Sequence, residues 1–154
     1  MATRILIADD HEIVLEGIRT LLSRSRRGWE VCGEARNGND AVDMVKALKP
    51  DVAVLDVTMP MMSGLEAASE IARLGSGCKV LIFTMHESER LDVEVRNAGA
   101  QGYVLKSQAA RDLVRAIDAL LAGDTFYGTS QGTVSVKREK STPGAIFRQA
   151  LAFA

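Results

Sequence analysis

Short apolar runs alternate along the chain with stretches in which apolar residues recur at helical spacing. Residues 5–8 read Ile-Leu-Ile-Ala, a pattern typical of a buried strand, and apolar side chains then return at positions 14, 18, 21 and 22. The same alternation repeats four times. It predicts further strands near residues 30–35, 52–55, 80–83 and 102–105, and further helices near residues 42–48, 64–74, 88–98 and 110–121.

Five consecutive strand–helix units define the expected fold class. Strands joined by helices pair in parallel, because each helix carries the chain back to the edge from which the strand started. The predicted strands are apolar on both sides, as burial between two helical layers requires. The sequence therefore predicts an α/β protein with a doubly wound, five-stranded parallel sheet of the (βα)5 type.

Two local patterns refine the helices. Ser63 and Glu66 have the spacing of a capping box, and Asn39 or Asp40 could cap the preceding helix. The stretch 88–98 is sparsely apolar, so we expect its helix to be held less firmly than its neighbours.

The character of the chain changes after Gly123. Gly, Ser, Thr and charged residues dominate residues 123–144, which predicts a linker, and residues 145–154 could form a short helix. The expected organisation is one domain over residues 1–122 and a tail over 123–154 that is too short for a DNA-binding domain. The basic run at 137–140 is more typical of a solvated linker than of a DNA-binding segment.

Composition narrows the class of protein. The 154 residues carry a net charge of −1, which argues against a domain that binds nucleic acid over its whole surface. No apolar run is long enough to cross a membrane, and the N-terminus lacks the pattern of a secretory signal. Cys32 and Cys78 are too few for a disulfide framework. We expect a soluble cytoplasmic protein.

Polar side chains follow four of the five predicted strands. Asp9 and Asp10 follow the first strand, Asp56 the third, Thr84 the fourth and Lys106 the fifth. Because ligands of open parallel sheets bind beyond the carboxyl ends of the strands, we expect these five side chains to converge at one edge.

Three crowded carboxylates repel one another, and a divalent cation relieves that repulsion. Mg²⁺ prefers oxygen ligands and commonly takes one or two carboxylates together with water and a phosphate oxygen. The simpler alternative is that Asp9 or Asp10 only caps the first helix, whose amino end favours negative charge. The full set of polar residues favours the metal site.

Asp56 directly follows an uninterrupted apolar strand. A carboxylate placed there can attack phosphorus as a nucleophile and form an acyl phosphate. Phosphoryl transfer depends mainly on positioning and on neutralising charge. Mg²⁺ and Lys106 could supply positive charge, and the Thr84 hydroxyl could donate a hydrogen bond to a phosphoryl oxygen.

Four segments carry a resemblance to a known family: RILIADDHEIV at 4–14, VAVLDVTMPMMSGLE at 52–66, VLIFT at 80–84 and GAQGYVLK at 99–106. Over about residues 3–122 the chain resembles response-regulator receiver domains of two-component signalling, and its details are similar to the NarL/LuxR-type subgroup. The resemblance implies a flavodoxin-like sheet with strand order 2-1-3-4-5.

The resemblance also implies a phosphoacceptor site. Asp56 would receive the phosphoryl group from the phosphohistidine of a sensor histidine kinase. Asp10, Asp56 and the main-chain carbonyl of Thr58 would ligate Mg²⁺, and Asp9 would position a metal-bound water. Lys106 would pair with the phosphoryl group.

Two further residues would act as a switch in the implied mechanism. Thr84 would move toward the phosphoryl group, and Tyr103 would change its rotamer. The output would then pass through the surface of the fourth helix and the fifth strand, acting on a homodimer or a downstream partner. Members of the subgroup usually carry a helix-turn-helix domain after the receiver, and no such pattern follows here, so direct DNA binding is not expected. His11 and His86 are expected to have no catalytic role.

Two other functions compete with this interpretation. A magnesium-dependent phosphatase of the haloacid-dehalogenase type also uses an Asp after an apolar strand, but it needs a second Asp at the position of Thr58. A receiver-like binding module that is never phosphorylated usually lacks one or more pocket residues, and here all five are present. We therefore expect a signalling protein and not an enzyme that turns over a substrate.

Overall fold

A central sheet between two layers of helices forms the protein. The computed structural model describes residues 2–129 and 132–136, the last strand by its backbone alone. The strands are β1 (Arg4–Ala8), β2 (Glu30–Ala35), β3 (Val52–Asp56), β4 (Lys79–Thr84), β5 (Gly102–Leu105), β6 (Thr125–Thr129) and β7 (Gly132–Val136). The helices are α1 (Glu12–Arg24), α2 (Gly38–Leu48), α3 (Gly64–Leu74), α4 (Leu91–Asn97) and α5 (Ala109–Leu121).

Side chains of the inner strands alternate between two apolar layers. Ile5 and Ile7 of β1 pack with α1 and α5, whereas Leu6 and Ala8 pack on the side of α2, α3 and α4. Every residue of β3 is buried. Burial on both faces is the reason these strands read as continuous apolar runs in the sequence.

The sheet confirms the predicted fold class and extends it. The strand order is β2-β1-β3-β4-β5-β6-β7, so the expected 2-1-3-4-5 order is present, and β6 adds a sixth parallel strand beside β5. The seventh strand, β7, returns antiparallel to β6. The expectation of five strands was therefore too low.

The two added strands also correct the linker expected from Gly123. Phe126 and Tyr127 are buried on opposite faces of the sheet, and Thr, Phe, Tyr and Val favour strands when a neighbour is available. The hairpin could not be predicted from composition, because it depends on the pairing of β6 with β5, which is a tertiary contact. The helix expected at 145–154 and the rest of the tail lie outside the described residues.

Helix ends follow the predictions in part. The Ser63 side chain accepts a hydrogen bond from the Glu66 N–H at 3.2 Å, which confirms Ser63 as the N-cap of α3. The cap of α2 is Asn37, which accepts from the Asp40 N–H, and not Asn39 or Asp40 as expected. The error follows from the chain reaching helical geometry two residues earlier than the apolar periodicity suggests.

Helix α4 is short and weakly anchored. It spans Leu91–Asn97, less than the predicted 88–98, and no side chain caps its start at Arg90. Leu91, Val95 and the C-cap Ala98 are its buried apolar residues, which agrees with the sparsely apolar pattern of this stretch. Across the described part of the chain, no helix has the length and apolar character needed to cross a membrane.

Gly64 allows α3 to begin directly against the end of β3. A Cβ atom at this position would lie 2.0 Å from the Asp56 carbonyl oxygen. We predict that Gly64→Ala lowers the free energy of unfolding by about 1–3 kcal/mol through overpacking. Urea denaturation measures this loss. Gly17→Ala is the matched control, because a Cβ there meets nothing within 4 Å and should be neutral or stabilising. Equal effects of the two substitutions would contradict this assignment.

Candidate functional site

The polar side chains predicted to converge lie at the carboxyl edge of the sheet. The strand order reverses between β1 and β3, which is where open parallel sheets form a binding crevice. Ala8 of β1 pairs with Leu55 of β3, so Asp9 and Asp56 follow at neighbouring positions. Lys106 follows β5 and reaches back across the end of β4.

Lys106 holds two carboxylates together. Its Nζ atom lies 2.8 Å from Asp9 Oδ2 and 3.2 Å from Asp56 Oδ1. The Asp9 side chain is 0% exposed, that of Asp56 is 6% exposed and that of Lys106 is 15% exposed. Charge-assisted hydrogen bonds in so dry a position are strong, and removing the charge of Lys106 would leave two buried carboxylates without a cationic partner.

A second group of contacts joins Asp9 to Asp10. The His11 Nδ1 atom lies 3.0 Å from Asp9 Oδ1 and 3.1 Å from Asp10 Oδ1, and the His11 N–H donates to Asp9 Oδ1 at 2.9 Å. One potential ligand atom from each of Asp9, Asp10, His11 and Asp56 falls within 4.8 Å of the others. Such a cluster can hold a metal ion.

Sequence reasoning underestimated His11. It placed this residue at the start of α1, and His11 is indeed the N-cap, but without a side-chain capping bond. Its imidazole instead faces the two acids. The position of His11 directly after the Asp pair was the available signal. The alternative that Asp9 or Asp10 serves only as the helix cap gains no support, because the capping position belongs to His11.

The electrostatics of the pocket leave Asp56 poorly compensated. Burial raises the pKa of Asp56, and the nearby charge of Asp9 raises it further, while Lys106 and the backbone N–H of Thr58 act in the opposite direction. Burial acts to lower the pKa of Lys106, but its hydrogen bonds and charge interactions with Asp9 and Asp56 outweigh burial and leave the pKa raised. Lys106 therefore stays charged, and the pocket retains an excess of carboxylates.

Thr84 and Tyr103 lie near this pocket without contributing to its ion pairs. Thr84 is buried at the end of β4, where its hydroxyl donates to the His86 carbonyl at 3.4 Å and accepts from the His86 N–H at 3.3 Å. Tyr103 is 1% exposed and packs on the α4 side of the sheet. Burial and the neighbouring carboxylate of Asp92 raise its pKa. The structure thus brings Asp9, Asp10, Asp56 and Lys106 together and leaves Thr84 and Tyr103 at the periphery.

The loop after β3 forms one side of the pocket. Thr58 is exposed, and its backbone N–H faces the Asp56 carboxylate. Met59 is buried, whereas Met61 is 77% exposed and adopts a positive φ of 70°. The predicted role of the Thr58 carbonyl as a metal ligand remains a prediction.

Residues 5–118 match the model of the response regulator receiver domain family. The chain belongs to the response regulator receiver family. The match runs from β1 into α5, and it confirms the resemblance that the sequence carries.

Two curated relatives of this receiver are response regulators. It is 39% identical over 125 residues to response regulator UvrY of Escherichia coli O6:H1, covering 81% of this chain and 57% of UvrY. It is 35% identical over 123 residues to response regulator GacA of Pseudomonas aeruginosa, covering 80% of this chain and 57% of GacA. The chain thus spans little more than half the length of these curated relatives.

Solved structures support the predicted subgroup. A two-component response regulator of the LuxR family from Aurantimonas sp. SI85-9A1 superposes with a TM-score of 0.78 at 38% identity, covering 85% of this chain and 92% of that one. The isolated REC domain of RcsB from Salmonella enterica serovar Typhimurium, determined in the presence of the phosphomimetic BeF3-, gives a TM-score of 0.75 at 29% identity, with coverage of 84% and 96%.

The raised pKa of Asp56 makes stability depend on pH. Its native pKa lies above the ordinary value of about 3.9, so the native state holds this proton more tightly than the unfolded state does. The associated stability is present below the ordinary pKa and is lost as pH rises through the native pKa. In metal-free buffer we predict that Asp56→Asn melts at a higher temperature than wild type near pH 7, and that the difference shrinks toward pH 4.

Thermal unfolding of the two proteins across this pH range measures the effect. Asp43→Asn on the exposed side of α2 is the matched control. Its difference in melting temperature from wild type should not increase with pH. A less stable Asp56→Asn protein at neutral pH would contradict the assigned electrostatics.

Proposed function

We propose that this receiver accepts a phosphoryl group on Asp56 from the phosphohistidine of a sensor histidine kinase and changes conformation in response. The observation that carries the proposal is the contact of Lys106 Nζ with Asp56 and Asp9 at the crevice between β1 and β3. A carboxylate at a sheet edge is common, but one held against a buried ammonium and surrounded by two more acids is an arrangement suited to phosphoryl chemistry.

Asp56 is the nucleophile in the proposed reaction. One carboxylate oxygen of Asp56 forms the new bond to phosphorus, the phosphorus–nitrogen bond of the phosphohistidine breaks, and the electron pair leaves with the imidazole nitrogen, which takes a proton from solvent. The product is an acyl phosphate. Lys106 is within reach of the Asp56 oxygen and pairs with the charge that arrives on the phosphoryl oxygens.

The pocket fits a magnesium ion. Its donors include carboxylate oxygens, the hard ligands that Mg²⁺ prefers. Because the pocket holds more carboxylates than cationic groups, it favours the binding of a cation. Asp10, Asp56 and the Thr58 carbonyl would hold the ion, with Asp9 acting through a water molecule. The bound ion would supply positive charge that Lys106 alone does not provide. His11, which contacts Asp9 and Asp10, would compete with it for these oxygens.

Turnover of external substrates is not part of the proposed function. A phosphatase of the kind considered above needs an acid–base residue at position 58, and Thr58 cannot serve as one. The only chemistry proposed is gain and loss of the receiver's own phosphoryl group. Thr84 supports this signalling role, because its hydroxyl now bonds the His86 backbone and could exchange that weak contact for a phosphoryl oxygen.

Output is proposed to reach a partner protein or a second copy of the chain. The relatives UvrY and GacA are response regulators, and this chain matches little more than half of each. We propose that residues 1–129 do not contact DNA directly.

Incubation with acetyl phosphate and Mg²⁺ tests the phosphoacceptor proposal. We predict that intact mass spectrometry shows one phosphoryl group per chain, and that Asp56→Asn or chelation of the metal abolishes it. Lys106→Gln should slow labelling by about a hundred-fold, the usual loss when one charge-stabilising group is removed. Lys46→Gln, at an exposed position of α2, should label at the wild-type rate.

The rival functions give different results in the same assay. Folded wild-type protein that is never labelled would support an unphosphorylated binding module. Continuous hydrolysis of a phosphomonoester such as para-nitrophenyl phosphate would support a phosphatase. Either result would overturn the proposal.

A further inference from the structure

Strand β6 places a second tyrosine beside the predicted switch residue. Tyr103 of β5 pairs in register with Tyr127 of β6. Their ring centroids lie 5.8 Å apart with the planes tilted by 56°, and the two residues are 1% and 3% exposed. Tilted aromatic pairs of this geometry attract each other beyond the effect of burial alone. Tyr103 therefore cannot change position without disturbing a residue of β6.

Helix α4 contacts Tyr127 through the side chain of Arg96. The Arg96 Nε atom donates to the Tyr127 hydroxyl at 2.9 Å, and the guanidinium carbon lies 4.9 Å from the Tyr127 ring centroid. Asp92, four residues earlier on the same helix face, lies near the Tyr103 hydroxyl. The two polar side chains thus join α4 to β5 and β6.

These contacts matter because α4 has little else to hold it. Its buried apolar residues are Leu91 and Val95, and its first turn lacks a side-chain cap. Thr84 ends β4, and its hydroxyl fixes the start of the loop that leads to α4 through the His86 backbone. A change at Thr84 would therefore be felt at the start of α4, and the tyrosine contacts connect α4 to the C-terminal hairpin.

We propose that Tyr127, held by Arg96 and packed against Tyr103, is the residue through which phosphorylation at Asp56 is transmitted to the β6–β7 hairpin. This inference rests on the proposed phosphoacceptor function, and it identifies the β6–β7 hairpin as the part of the protein that responds to phosphorylation. In the unmodified protein the contacts hold β6 against β5. When the phosphoryl group draws Thr84 away from His86, α4 shifts, the hold on Tyr127 weakens and the hairpin loosens.

The close approach of β6 depends on Gly102. A Cβ at this position would lie 2.0 Å from the Phe126 carbonyl oxygen, so any larger side chain displaces β6. The Phe126 N–H donates to the Gln101 carbonyl at 3.1 Å, which gives a reporter amide for docking of the strand. Gly102→Ala therefore serves as a reference for the undocked hairpin.

Hydrogen exchange measured by mass spectrometry tests this inference. Wild-type protein is compared with and without acetyl phosphate and Mg²⁺. The fraction of protein that is phosphorylated at Asp56 is determined on the same samples. We expect the β6 amides to exchange about five-fold faster in the phosphorylated protein, the factor that corresponds to losing one hydrogen bond. In Tyr127→Phe, which keeps the ring and loses the hydroxyl, β6 should already exchange about five-fold faster without phosphorylation and should respond little to it.

A pair of arginine variants supplies the matched control. Arg96→Gln should reproduce the effect of Tyr127→Phe, whereas Arg90→Gln, at the exposed start of α4, should behave as wild type. Gly102→Ala sets the fast limit of exchange. Two results would overturn this inference and leave the phosphoacceptor function intact. One is phosphorylation of Asp56 without a change in the exchange of the β6 amides. The other is a Tyr127→Phe protein whose β6 exchange still rises on phosphorylation as much as that of wild type. Absence of labelling would overturn both.

Discussion

The ion pairs of Lys106 with Asp9 and Asp56 are the interaction on which the site depends. Each partner comes from the end of a different strand, so the contact exists only when β1, β3 and β5 lie in register. The sheet supplies that register through apolar burial on both faces. A large share of the core therefore serves to place three charged side chains within a few ångströms of one another, in surroundings dry enough to make their charges count.

The positions of these residues follow from the sequence because parallel strands end at a common edge. A polar residue directly after an apolar run can thus be assigned to the site without knowing any tertiary contact. The β6–β7 hairpin could not be predicted in this way. Tyr127 is buried only because β5 and α4 lie beside it, and the Gly- and Thr-rich composition around it is equally typical of a linker. The role of His11 was missed for a related reason, since its ring orientation depends on where both acids point.

Stability is distributed unevenly from the pocket to the sheet edge. Strand β3, which ends at Asp56, is buried at every residue, whereas α4 relies on few apolar contacts and on polar bonds to residues of β5 and β6. Rigid parts hold reacting groups in place, and weakly held parts respond to a small change in charge. In this receiver both properties occur within one sheet, and the tyrosine pair lies where they meet.

Calorimetric titration of Mg²⁺ into the metal-free protein shows directly whether the acidic cluster beside Lys106 is a divalent-cation pocket. We predict a single site whose affinity falls at least about ten-fold in Asp10→Asn, a loss of about 1.4 kcal/mol. Asp43→Asn should bind Mg²⁺ as wild type does. Wild-type protein without a Mg²⁺ site, or Asp10→Asn with unchanged affinity, would show that the acidic cluster does not form this pocket.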